Sequence, residues 1–252
     1  MMKKLKNSFT FLTLEAFFRQ KRNLLVYLLL FLGVLLPALS GSDNYNFWYR
    51  IYYILISPFY NAMFYLAIGI STIYMIGEFS KSYTIASRCS DYRAFIKNNM
   101  KSIIVQIMYL FVVSFILVIA GAIFFSFNNF GMINHPDYAL PIIYYILVYL
   151  IRSFLFCSLV TLILYLLFLV VKKVGATVLV LINSSCFYLL LFDVPLVKHF
   201  YNMPLLYQYY YGAFHCSTFG LEIICSTLEF IILYIIYKII SRIVLIKKRD
   251  LA

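Results

Sequence analysis

Charge is scarce in this chain of 252 residues. Lys and Arg number 21, Asp and Glu only 9, and together they form 12% of the sequence. A soluble domain carries about twice that share. Phosphate-binding loops are missing too: the nine glycines nowhere form GxxxxGK or GxGxxG, so the chain is not expected to hydrolyse ATP alone. His135, His199 and His215 have no neighbour at metal-site spacing, and neither HExxH nor Gly-x-Ser-x-Gly occurs. Zinc proteolysis and serine-elbow hydrolysis are therefore poorly supported. Cys89, Cys157, Cys186, Cys216 and Cys225 form an odd set without metal or redox spacing, which argues against a closed disulfide framework. Most read as small apolar fillers.

Apolar residues fill the space that charge leaves. They make up 64% of the sequence, with 24 Tyr and 25 Phe. No soluble core hides such an excess, so the bilayer must solvate much of the surface; runs of about 20 apolar residues suffice to cross it. The net charge of +12 does not point to nucleic acid, because the cations cluster between the apolar runs.

The expected fold is all-α, a single transmembrane domain over 1–252 with six spans. Residues 1–23 are basic and aromatic and read as an interface helix, with Lys3, Lys4, Lys6, Arg19, Lys21 and Arg22 near lipid headgroups. The spans are expected at about 24–39, 51–77, 103–126, 141–171, 176–192 and 219–237, followed by a tail over 238–252. The first ends in Pro37-Ala38-Leu39-Ser40, which looks like a leader cleavage site; the long preceding region with Glu15 favours an uncleaved span. Ser57-Pro58 predicts a kink in the second. The stretch 193–218 is long, aromatic and apolar, with the run Tyr207-Gln208-Tyr209-Tyr210-Tyr211, and reads as re-entrant helices in the outer leaflet.

Orientation follows from the cations. Six lie in the N-terminal region, five over 78–102, two at Lys172 and Lys173, and five from Lys238 onward. Arg50 and Lys198 fall on the other side, and Arg152 falls within a span. The positive-inside rule then predicts both termini in the cytoplasm of a multi-pass cell-membrane protein.

Two groups of residues are candidates for function. Arg152 lies 11 residues beyond Pro141 and Glu229 lies 10 beyond Phe219, each roughly 15–17 Å from the outer boundary. An unpaired charge there costs about 2.5–3.5 kcal/mol or more, so an interhelical ion pair is expected. Glu222 sits seven residues before Glu229 on the same face. The three either line a translocation path or clamp helices together. Asn61, Gln106 and Asn183 are expected to make interhelical hydrogen bonds. The second group is the charged loop from Glu78 to Lys101, with Arg88, Asp91 and Arg93 on a short surface helix. A solvated basic turn would explain the same cations.

Glu78, Thr84, Arg93 and Lys101 follow each other in an order that resembles the permease subunits of ABC transporters of the type-2 exporter class. The layout of nearly the whole chain is similar to that family. Two positions depart from its pattern: Tyr83 stands before Thr84 where glycine is common, and Asp91 occupies the usual proline position. The resemblance implies a cytoplasmic coupling helix between spans two and three. Two separate ATPase subunits, carrying ATP and Mg, would cradle it through Glu78, Thr84, Arg88, Asp91 and Arg93. It also implies a second permease copy or homologous permease, no cofactor on this chain, and a hydrophobic or amphipathic cargo such as a peptide, antimicrobial or lipid. Peptide export or bacteriocin immunity would suit such a protein. A membrane-embedded enzyme, an intramembrane protease or acyltransferase, would need an acid/base set richer than Arg152, Glu222 and Glu229. An ion-coupled carrier would show two matching halves, and no such symmetry is present.

Overall fold

The computed structural model describes residues 23–40, 45–81, 92–126, 130–131, 133–134, 140–170 and 219–249. Six helices hold nearly all of them: α1 (Asn23–Ser40), α2 (Phe47–Ile56), α3 (Pro58–Lys81), α4 (Tyr92–Ser126), α5 (Ile142–Val170) and α6 (Phe219–Arg249). Four are long and apolar enough to cross a membrane, and the bent α2–α3 pair makes a fifth if it is one span. The described chain is thus a helical membrane protein. The expected interface helix (1–23), the coupling helix around 85–95 up to Asp91, the fifth span (176–192) and the re-entrant stretch (193–218) lie outside the described residues.

The expected second span is two helices. α2 and α3 meet at Ser57-Pro58 with a bend of 59°. Pro58 takes the first position of α3, where a missing N–H costs little. Ile54 O accepts from Ser57 N instead, at 3.2 Å. The start of α2 is set by Asn46, whose Oδ1 accepts from Tyr49 N at 2.8 Å, an N-cap that extends the helix four residues ahead of the expected boundary.

Helix directions follow from contacts at one end of the bundle, called here the Arg50 end. α1 finishes there, α2 begins there, and α4 finishes there, since Arg50 bonds both Ala38 and Ser126. α5 starts at the same end, with Ile142 N on Ile133 O at 3.1 Å beside a bridge between Asn134 and Pro141. The Phe219 ring lies 4.9 Å from that of Tyr145, so α6 starts there as well and runs parallel to α5.

Two apolar clusters form the core. Val34, Ala38, Ile51, Ile54, Val118 and Ile146 fill the Arg50 end. Val26, Leu30, Phe64, Ile103, Leu110 and Leu166 fill the far end. Backbones approach closely at two glycines. A Cβ on Gly33 would lie 2.9 Å from Met63 Cβ, and one on Gly121 would lie 3.3 Å from Val34 Cγ1. Small residues at helix crossings are how spans pack where lipid supplies no hydrophobic drive. The outward faces carry Leu28, Phe31, Met108, Ile116, Ile151 and Leu228, all exposed and suited to acyl chains.

Candidate functional site

Three layers of polar side chains run down the interior. The first is built on Arg50, only 1% exposed. Its Nη1 donates to Ala38 O at 2.7 Å and its Nε to Ser126 Oγ at 2.6 Å. Ser126 Oγ donates in turn to Tyr45 O at 2.9 Å. The guanidinium carbon lies 5.7 Å from the Tyr45 ring centroid and 5.6 Å from that of Phe125. One cation thus joins the closing turns of α1 and α4 to the opening of α2, at helix ends where the backbone dipole favours positive charge. Asn46 adds a bond from Nδ2 to Gly131 O at 2.6 Å. Arg50 was expected to be a cation in an outer connection; it is buried inside α2. A lone arginine among Trp48, Tyr49, Tyr52 and Tyr53 was the available signal.

The second layer surrounds the bend. Tyr149 OH of α5 donates to Asn61 Oδ1 of α3 at 2.7 Å. Asn61 Nδ2 reaches Leu55 O at 3.2 Å and Ser57 O at 3.1 Å, satisfying carbonyls that the proline break disturbs. Tyr60 OH and Ser114 Oγ lie 2.9 Å apart, tying α3 to α4. The interhelical bond expected of Asn61 is therefore present.

Arg152 and Glu229 belong to this depth. They are 4% and 5% exposed, and the guanidinium acts electrostatically on both the Glu229 carboxylate and Tyr149. The Tyr145–Phe219 contact sets the two helices in register: ten residues on, Glu229 stands level with Leu155, about 4.5 Å along the axis from Arg152. An arginine side chain spans that offset easily. Glu229 Oε2 accepts no hydrogen bond, so the carboxylate is not fully engaged. Glu222 lies in α6, Glu78 in α3 and Arg93 in α4, each fixed here only as a helix position. Thr84, Arg88, Asp91 and Asn183 lie outside the described residues.

The third layer lies towards the far end. Asn99 Nδ2 donates to Tyr165 OH at 3.0 Å, Tyr237 OH to Met100 Sδ at 3.6 Å, and the Tyr27 and Tyr109 hydroxyls are 3.2 Å apart. Gln106 breaks the pattern expected of it: neither amide atom has a hydrogen-bond partner. Among the described residues no group of three or more His, Cys, Asp or Glu is arranged to hold a metal.

Fold and interior together define a helical membrane protein with a layered polar interior that buries one arginine and one glutamate at similar depth. No family model, curated protein or solved structure matches the chain.

Proposed function

We propose that the chain is the membrane-spanning permease subunit of an ATP-driven exporter, working with two separate ATPase subunits and a second permease. The observation that carries this reading is the continuity of α4. It is one unbroken helix of 35 residues, about 52 Å long, against a hydrocarbon thickness of about 30 Å. With Ser126 at the outer boundary, the hydrocarbon ends near Gln106, and roughly the first 14 residues of α4 project beyond it. Arg93 and the exposed Lys97 and Lys101 lie on that projecting part. A rigid rod from the segment around 85–95 to the Arg50 clamp suits a protein driven by an external motor. A push at Arg88, Asp91 and Arg93 would be delivered to the outer end, where α1, α2 and α4 are joined.

Glu78, Thr84, Arg88, Asp91 and Arg93 would seat the ATPase. The cargo would be hydrophobic or amphipathic, a peptide, antimicrobial or lipid, and the distribution of cations supports a multi-pass protein with both termini in the cytoplasm of a bacterial cell. Affinity purification of the tagged full chain from its native membrane is the test. An ATPase of the nucleotide-binding class recovered in stoichiometric amount supports the reading; its absence under mild detergent, with the permease intact, overturns it.

A further inference from the structure

Satisfaction of buried polar groups differs between the two ends of the bundle. At the Arg50 end and around the bend, Asn46, Arg50, Asn61, Tyr60, Ser114, Ser126 and Tyr149 all make hydrogen bonds. Buried atoms with no such partner include Glu229 Oε2, Thr72 Oγ1, Ser158 Oγ, both amide atoms of Gln106, and Asn99 Oδ1. Counted along its helix from the Arg50 end, Glu229 lies about 15 Å down α6, while Thr72 lies about 21 Å beyond the bend that opens α3. Ser158 lies about 24 Å down α5, Gln106 about 30 Å down α4 and Asn99 about 40 Å down α4. The unmet groups therefore form a ladder on four helices, from the far end up to the buried acid.

Gln106 is the strongest rung. It is 1% exposed and lies on the core-facing stripe of α4 with Asn99, Ile103 and Leu110. An amide left unmet in such a place costs about 1–3 kcal/mol, and a leucine of similar size would avoid that cost. A glutamine amide offers a donor and an acceptor side by side, the complement of a peptide group or of water. A charged ligand would leave it poorly matched.

We propose that Gln106, with Thr72 and Ser158, lines a site reached from the far end of the bundle that takes water and neutral amide groups and leads to Glu229. The permease reading supplies only its direction, from the cytoplasm; the site itself requires no ATPase.

Thiol accessibility tests it. Single cysteines are introduced in the full chain with its own cysteines replaced, and N-ethylmaleimide reactivity is followed, because the thiolate forms only in water. The Gln106→Cys thiol is compared with Met108→Cys, two residues deeper in the hydrocarbon and facing lipid. Ser158→Cys is compared with Leu155→Cys, which also faces lipid. The site predicts at least tenfold faster reaction at 106 than at 108, and at 158 than at 155. A sulfonated, membrane-impermeant methanethiosulfonate should block position 106 in inverted vesicles and not in intact cells. Equal rates at 106 and 108 together with 155 and 158, or blocking from outside only, overturn the proposal. Gln106→Leu is an independent arm: a raised melting temperature with unreactive cysteines at both sites marks the amide as a packing fault. Loss of the ATPase from purified material would overturn the exporter reading and leave the labelling result standing.

Discussion

Arg50 shows how much one side chain can hold when its partners are backbone and hydroxyl groups at helix ends. It bonds Ala38 and Ser126 and lies against two rings. Bonds from a charged donor contribute about 1.5–3 kcal/mol each. Arg50→Met should therefore lower stability by about 2–4 kcal/mol, read as the shift in thermal unfolding of the detergent-solubilised chain. Arg50→Lys should recover little, since one ammonium cannot replace a planar fork. Arg152 and Glu229 call for a different experiment. Replacing one member of a buried pair strands the other, at about 3–5 kcal/mol. Arg152→Met should be strongly destabilising, and Arg152→Met with Glu229→Leu should recover much of the loss. Additive penalties in that cycle would show that the two charges do not depend on each other.

At the scale of helices, the outcome turns on where backbones touch. Gly33 faces Met63 Cβ itself. Gly33→Ala should destabilise α1 against α3 by about 1–3 kcal/mol. Met63→Ala cannot relieve that clash, because the offending atom remains; Met63→Gly should. Melting curves of the three double and single variants decide it. Helix positions were largely legible, since an apolar run reports the part of a helix that lies in hydrocarbon. The run 24–39 gives α1 within a residue at either end. The same logic under-reads α4, which begins at Tyr92, eleven residues before the apolar run at 103. Arg93, Lys97 and Lys101 depress hydropathy without breaking a helix. Pro58 signalled a kink, but not its 59° size, nor that Asn61 Nδ2 and Ser57 N donate to the carbonyls of Leu55 and Ile54 beside it. The depth of Arg152 and Glu229 was legible from their distance to the ends of the apolar runs, and both are buried; Gln106 was misread because a sequence shows an amide but not whether anything answers it.

For the whole molecule, the exporter reading makes a claim about transmission. If α4 is the rod that conveys work from the ATPase, Arg93→Glu should leave insertion and thermal stability intact while weakening recovery of the ATPase several-fold. A conservative change at the lipid-facing Met108, Met108→Leu, should alter none of the three. Pull-down yield against permease amount measures this.

The Arg50 clamp also dictates a sequence of events in synthesis. Ser126, one of its two hydrogen-bonding neighbours, is made 76 residues after Arg50 itself. Until that serine emerges from the ribosome, the guanidinium has only part of its shell, and water or headgroups at the outer boundary supply the rest. The clamp at the head of α2 therefore closes only once α4 is in place. The hairpin around the proline bend is then completed late, although it is encoded early.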